Sequence, residues 1–464
     1  MLDRKIYQEN SGKLQKMKEE VEKDPLLLAY HIYPETGWLN DPNGLCQLDG
    51  TYHFYYQASP LDENRGDIGW GHVSSPDLIN YKREDFFIFP DSKYDKNGAY
   101  SGSAFIEDNK LSFFYTGNVK YPGDFDGINE GREHNTLRID SDAYTYDEKI
   151  LIMDNDDYPA DMTKHVRDPK IYKKDGTYYM FLGARSKADK GMVLVFKSED
   201  LRDFTYHMRI ETDYDFGFMW ECPDFFDLDH KQILICCPQG LASEKYKFQN
   251  IYQSGYFFID LDLENKTYKL GDFEELDYGF DFYAPQTFED EACRRILVGW
   301  MGIPDADYTN PSVKYKWQHA LTIPRELKIK NQRLVQEPIK ELEALRGSKI
   351  DLEKGKVYEE LTFEGSAYNI KGDFKINLRK DVTLAYKDGI LALKMGESGS
   401  GRDERLIKID EITSLRIFSD RSSLEIFIND GAYVMTNRVY AKEGYFKSED
   451  LDLAIYPLGA FTFS

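Results

Sequence analysis

Cysteine is scarce. The five present, Cys46, Cys222, Cys236, Cys237 and Cys293, are an odd number with no Cys-x-x-Cys spacing. That argues against a disulfide framework and fits reduced thiols. Basic charge is short too: 59 Lys and Arg face 82 Asp and Glu, for a net charge of −23. Nucleic acid and anionic membrane recruit basic surface, so neither is an expected partner. No apolar run approaches the length of a membrane span. The first, Leu26 to Ala29, is short and follows an acidic stretch rather than opening a signal peptide. With residue 1 as the native start, this predicts a cytoplasmic protein. Metal patterns are missing as well. There is no His-x-His or His-Glu-x-x-His, and His53 and His72 read as packing or hydrogen-bonding residues. No loop alternates acids at calcium-ligand spacing, and the Gly/Ser loop at 397–401 lacks the Lys-Ser/Thr of a phosphate loop. Neither metal nor cofactor is expected.

Aromatics are plentiful, with 34 Tyr and 29 Phe, a bias that favours strands. A single early helix is predicted from Lys13 to Lys23, stopped by Pro25 and solvated. From about residue 30 a weak repeat runs through the chain. Its second half is a turn followed by an apolar run, as in Asp49-Gly50, Asp108-Asn109 and Asp175-Gly176, with weaker copies at His230-Lys231 and Arg294-Arg295. Asp-Gly and Asp-Asn are hairpin signals. Before each turn lies a short segment of shared shape: Asn40-Asp41-Pro42, Ser101-Gly102-Ser103, Arg167-Asp168-Pro169, Glu221-Cys222-Pro223 and Tyr283-Ala284-Pro285. These recur every roughly 60 residues, which suggests a propeller or an open array.

Five multi-stranded units predict an all-β five-bladed propeller, because each blade alone is too small to bury its faces. In a propeller the five segments converge on one end of the central channel. The expected organisation is an N-terminal helical extension at 1–27, the propeller at 28–332, a linker helix at 333–347 and a C-terminal β-sandwich at 348–464. The sandwich strands are expected at Tyr368 to Leu378, Val382 to Tyr386, Ile390 to Lys394, Leu415 to Phe418, Ser423 to Asn429 and Tyr433 to Val439.

Three of the five segments carry a carboxylate: Asp41, Asp168 and Glu221. Each lies within a residue of the same repeat position and close to a proline, which scattered surface acids have no reason to do. Three acids in one pocket cannot all ionise freely, so at least one pKa rises. A raised acid beside an ionised carboxylate is the pairing that glycoside hydrolysis needs. Glu221, the longer, suits proton delivery. Asp41, framed by Asn40 and Pro42 with a turn expected at Asn43-Gly44, suits the nucleophile, and the third acid can steady positive charge. Trp38, Trp70, Tyr100, Trp220 and Tyr283 offer flat faces for a sugar, while Asn40, Gln57, Ser101 and Arg167 offer hydroxyl partners. Packing between blades accounts equally well for Trp220 and Tyr283, and Cys222 reads as a packing thiol.

At these residues the chain resembles glycoside hydrolase family 32, the β-fructofuranosidases. The resemblance rests on Trp38-Leu39-Asn40-Asp41-Pro42-Asn43-Gly44, Arg167-Asp168-Pro169 and Glu221-Cys222-Pro223. Further matches lie at Phe54 to Gln57, Trp70-Gly71-His72, Tyr100 to Ser103, Asp281 to Gln286, Trp317 and Ser423 to Gly431. It implies a propeller followed by a sandwich. It also implies a retaining reaction, with Asp41 as nucleophile on the fructosyl C2, Glu221 as acid/base and Asp168 as transition-state stabiliser. Trp317 joins the substrate-binding residues on this ground. The lead-in Ala29-Tyr30-His31 with Pro34 to Gly37 looks most like the intracellular bacterial members that act on sucrose 6-phosphate. The substrate implied is sucrose 6-phosphate, sucrose or both. Hydrolysis of fructo-oligosaccharides, fructosyl transfer and a non-catalytic carbohydrate-binding propeller are the alternatives. A phosphate would need a local cation, for which Lys120, Arg132 and Arg185 are candidates.

Overall fold

The computed structural model describes residues 2–464. Two short helices open it, Arg4–Glu9 and Ser11–Val21. The first is capped by Asp3, whose carboxylate accepts the Ile6 N–H at 2.7 Å. The second lies two residues earlier than expected and is not wholly solvated. Leu14, Met17 and Val21 recur on one face and are buried, and Val21 packs on Leu28, Met301 and Trp317. Among the described residues no helix is long and apolar enough to cross a membrane.

Strands carry the rest. Residues 37–338 form five sheets of at least four strands each. Their first strands are Gly37–Leu48, Ala99–Glu107, Met162–Lys174, Met219–Leu228 and Tyr283–Glu289. Each touches the next, and the fifth touches the first, so the sheets form a closed ring. The hairpins turn as their sequences ask. Asp49-Gly50, Asp108-Asn109 and Asp175-Gly176 have positive φ at both residues, as does Asp229-His230, one residue ahead of the expected turn. That geometry matches the right-handed twist of the flanking strands. The ring is fastened by Trp317–Gln318, which pairs parallel with Gly37 and Trp38 of the first sheet.

A shared irregularity explains the repeated segments. All five first strands break register against their partners at the segment: Leu39/Pro42, Ala99/Gly102, Arg167/Lys170, Glu221/Asp224 and Tyr283/Gln286. A β-bulge re-aims the side chain it carries, so five bulges turn five segments toward one end of the channel. Asp168, Cys222 and Ala284, each before a proline, stand at φ 64°, 48° and 46°. The turn expected at Asn43-Gly44 is instead a second bulge within the same strand. Gly44 has φ 53°, and a Cβ there would meet the Phe113 ring at 2.7 Å.

The linker helix expected at 333–347 is instead a strand followed by a short 3₁₀ segment. Arg333–Pro338 completes the fifth sheet by pairing along Arg325–Lys330, and only Lys340–Leu345 is helical, as a 3₁₀ turn that buries Leu342 and Leu345. Pro338 restricts the residue before it to extended backbone, and Gln336 is held there by donating to the Leu276 carbonyl at 2.6 Å. Beyond it, two six-stranded sheets face one another around an aliphatic core that includes Leu378, Leu384, Leu393, Ile417 and Ile426. The strand expected from Tyr368 to Leu378 is two strands, Phe363–Tyr368 and Phe374–Arg379. Asn369 and Gly372, both at positive φ, turn the chain between them. The two domains are joined by buried ion pairs, Arg402 to Asp281 at 2.6 Å and Arg325 to Glu425 at 2.5 Å.

Candidate active site

The bulged segments open into a cavity of about 720 Å³. Asp41, Asp168 and Glu221 all line it, with Trp38, Asn40, Gln57, Tyr100, Ser101, Arg167 and Tyr283. Ten of the twelve expected site residues therefore meet in one place. The other two do not. Trp70 is wholly buried between Tyr55, Phe113 and Tyr115, and its indole N–H donates to the Tyr100 carbonyl at 3.1 Å. Trp317 is buried in the ring closure and donates to Asp24 at 2.9 Å. Both rings hold cavity-lining strands from behind. Trp220 is core as well, packed on Phe216 and Phe257.

Asp41 is surrounded by neutral donors. Its Oδ1 accepts from the Asn40 amide at 3.0 Å, and its Oδ2 from Ser101 Oγ at 2.5 Å and Gln57 at 3.2 Å. Trp38 fixes the amide, because its indole N–H donates to Asn40 Oδ1 at 3.0 Å. Burial raises the Asp41 pKa, the Ser101 hydrogen bond opposes that, and the charge of Glu221 raises it further. The carboxylate is thus oriented without being neutralised by an ion pair.

Asp168 is the strained member. Its left-handed backbone is fixed on one side by its own N–H donating to Thr116 Oγ1 at 2.9 Å. On the other side its Oδ2 accepts the Cys222 N–H at 2.9 Å. Such backbone costs about 1–3 kcal/mol and persists where surroundings over-determine it. Burial, opposed by Arg167 and reinforced by Glu221, lifts its pKa to about 7. Cys222 is buried between the two aspartates, 3.9 Å from Asp41 Oδ2 and 3.7 Å from Asp168 Oδ2. Its pKa is raised well above that of a free thiol by a hydrogen bond with Cys237 and by burial. It is a packing thiol whose backbone N–H serves the site.

Glu221 has charged and phenolic partners instead. Oε1 accepts from Arg167 Nη2 at 2.6 Å and Nε at 2.9 Å, and Oε2 from Tyr283 OH and Gln239 Nε2, each at 2.7 Å. Burial and the Glu221 charge hold the Tyr283 phenol far above its ordinary pKa, so it remains a donor. Arg167 is oriented in turn by His165, whose Nδ1 accepts from Nη1 at 2.7 Å while Nε2–H donates to the Gly127 carbonyl at 3.0 Å.

Gln239 and Trp300 were not among the residues the sequence singled out. Gln239 had a readable signal: it ends the second strand of its sheet, Gln57 lies two residues before the end of the equivalent strand, and each glutamine donates to the carboxylate of the neighbouring bulge. Trp300 ends the second strand of the fifth sheet in the same way. Arg65, Lys120, Arg132 and His134 also line the cavity. Arg185 does not; it pairs with Asp189 and lies over the Phe218 ring.

Comparison with known proteins fits this geometry. The chain is 38% identical over 458 residues to a protein of Bacillus subtilis described as sucrose-6-phosphate hydrolase, covering 92% of this chain and 93% of that one. Its fold matches a solved sucrose-6-phosphate hydrolase from Lactobacillus gasseri with a TM-score of 0.89 at 28% identity, over 97% of both chains. It also matches a mutant β-fructofuranosidase of Bombyx mori in complex with sucrose, with a TM-score of 0.86 at 28% identity, over 99% and 100% of the chains. The model of the glycosyl hydrolases family 32 N-terminal domain covers residues 31–338, and that of the family's C-terminal domain covers residues 332–453. The two models together cover residues 31–453, which hold the ring with its three carboxylates and most of the sandwich, and the chain belongs to glycosyl hydrolase family 32.

Proposed function

We propose that this cavity cleaves the β-fructofuranosyl bond of sucrose 6-phosphate, and of sucrose, through a fructosyl-enzyme intermediate. The observation that carries the reading is the contrast between two carboxylates in one cavity. Asp41 is held by neutral donors, which suits an unpaired nucleophile. Glu221 is held in one orientation by Arg167, Tyr283 and Gln239, as a side chain that must reach the bridging oxygen requires. In the first step an Asp41 oxygen attacks C2 of the fructosyl unit as the bond to the bridging oxygen breaks. Glu221 supplies the proton that this oxygen takes, and the hexose leaves. In the second step Glu221 takes a proton from water, the water oxygen bonds to C2, and the bond to Asp41 breaks. Asp168 stabilises the positive charge that develops on the fructosyl ring in both steps. On this reading the enzyme works in the cytoplasm, where a phosphorylated sugar is retained; its five free thiols support that.

The test compares hydrolysis of sucrose, sucrose 6-phosphate and a short inulin-type oligosaccharide. Sucrose 6-phosphate is expected to show the highest kcat/KM. Asp41→Ala should abolish turnover of every substrate, and full activity in that variant overturns the mechanism. Glu221→Gln should slow turnover by about 10²–10⁴-fold. It should retain far more activity on fructosyl fluoride, whose leaving group needs no proton.

A further inference from the structure

One wall of the cavity carries positive charge without acidic partners. The second and third strands of the second sheet, Lys110–Lys120 and Arg132–Ser141, pair so that Lys120 lies directly opposite Arg132 and Asn118 opposite His134. Side chains alternate along a strand, so Lys120, Arg132 and His134 share one face, and all three line the cavity. Like charges placed directly across a ladder destabilise it. Arg167 has Glu221 as its counter-ion, whereas among the described residues neither Lys120 nor Arg132 pairs with a carboxylate. Glu133, between Arg132 and His134, is on the opposite face and accepts from the Tyr121 phenol at 2.7 Å.

The polar atoms of this wall are also unspent. Arg132 Nε is buried with no hydrogen-bond partner, and so are both ring nitrogens of His134, which is 1% exposed. Arg132 Nη1 approaches His165 Nε2 at 3.4 Å. That nitrogen already carries the proton it donates to Gly127, so it cannot accept a second. Burial and the surrounding cations keep His134 neutral, with its pKa well below the ordinary value. A neutral imidazole with one N–H is a donor for an anion. Asn97 fixes the Lys120 backbone by accepting its N–H at 2.7 Å. In a chain of net charge −23, this is a built anion site. Its place relative to the chemistry is defined by contacts: Glu221 touches Arg167, Arg167 touches His165, and Arg132 lies against His165. The wall is therefore joined to Glu221 through two side chains.

We propose that Lys120 and Arg132, with His134 as an additional donor, bind the phosphoryl group of a 6-phosphorylated hexose leaving group and set the preference for it over the unphosphorylated sugar. The assignment rests on the hydrolase reading above for the orientation of the substrate. The anion site itself rests only on the wall. Removing one charged partner of a phosphate typically weakens binding about 10- to 100-fold.

The experiment has two arms. In the first, kcat/KM for sucrose 6-phosphate is divided by kcat/KM for sucrose in the wild type, Lys120→Gln, Arg132→Gln and the double variant. The ratio is expected to fall at least 10-fold in each single variant and further in the double one. An unchanged ratio overturns the proposal. In the second arm, binding of glucose 6-phosphate, glucose and inorganic phosphate is measured by calorimetry on the same proteins, which needs no turnover. Glucose 6-phosphate should bind the wild type at least 10-fold more tightly than glucose, and the variants should lose that margin. Equal binding of the two sugars by the wild type overturns the proposal. Binding of inorganic phosphate as tight as that of glucose 6-phosphate overturns the assignment to a sugar phosphate. If the margin is present but sucrose 6-phosphate is not cleaved, the hydrolase reading fails while the phosphate site stands.

Discussion

Asp168 concentrates the conflict between stability and chemistry in a single side chain. Its backbone is left-handed, its carboxyl is buried, and Glu221 repels its charge, so its pKa rises to about 7. An acid whose folded pKa exceeds its unfolded value, about 4, binds protons more tightly when folded. The contribution of this group to stability is therefore fully present below about pH 4 and lost as pH rises through about 7. Asp168→Asn keeps an oxygen to accept the Cys222 N–H and removes the titration. The variant is expected to be more stable than the wild type at pH 8, by on the order of 1 kcal/mol, and to lose that advantage at pH 5. On the proposed mechanism its kcat should drop about 10²–10³-fold, because the charge that would steady the fructosyl cation is gone. Thermal unfolding at both pH values, with kcat measured alongside, checks the pair of effects. A variant less stable than the wild type at pH 8 contradicts the burial argument.

At the scale of strands and turns, the repeat was readable and the bulges were not. Asp-Gly and Asp-Asn turns announce hairpins because few other residues accept positive φ twice in succession, so the blades and the meeting of Asp41, Asp168 and Glu221 followed from sequence. A bulge has no such residue signature. Pro42, Pro169, Pro223 and Pro285 mark four of the five, yet the fifth is Ser101-Gly102-Ser103. Trp70 and Trp317 were misplaced for another reason: both stand in regularly paired strands, and residue type alone does not say whether a tryptophan packs behind a strand or in front of it. The close approach of neighbouring sheets is equally silent in the sequence. Gly183, in the second strand of the third sheet, lies where a Cβ would meet the Trp220 carbonyl oxygen at 2.1 Å and the Glu221 Cα at 3.3 Å. Gly183→Ala must push back the strand that carries Glu221. A cost of about 1–3 kcal/mol in stability is expected, with a fall in kcat on the order of 100-fold if Glu221 shifts by about 1 Å. Gly50→Ala, in an open turn with nothing within 4 Å, is the comparison: φ 77° there strains an alanine too, but kcat should hold. Equal losses of kcat in the two variants would sink the packing argument.

The whole molecule is held by a buried charge network that links the lead-in segment, the ring and the sandwich. His31 Nδ1 contacts Asp420 Oδ2 at 2.8 Å and Nε2 contacts Glu425 Oε1 at 2.9 Å, while Glu425 Oε2 meets Arg325 at 2.5 Å. Asp420 also accepts the Ala29 and Tyr30 N–H groups. Burial alone would lower the His31 pKa, but its hydrogen bonds to Asp420 and Glu425 outweigh burial and leave it raised. Burial likewise raises both carboxyls, and their partners outweigh it, leaving Asp420 and Glu425 lowered. The signs differ and so do the pH windows. The histidine contribution is fully present below its unfolded pKa, about 6.5, and is lost as pH climbs through the raised folded value. The carboxylate contributions are present above about 4 and are lost as pH falls through the lowered folded values. The network is therefore complete between these limits, across the mildly acidic range. His31→Asn removes the central cation and leaves two buried acids facing each other, which typically costs about 3–5 kcal/mol. The deficit should be largest near pH 6 and shrink toward pH 9, where the wild-type imidazole has itself lost its proton. Since none of His31, Asp420, Glu425 and Arg325 lines the cavity, kcat for sucrose at 20 °C should change far less than the melting temperature. A deficit that is constant from pH 6 to pH 9 would show that His31 acts by packing and not by charge.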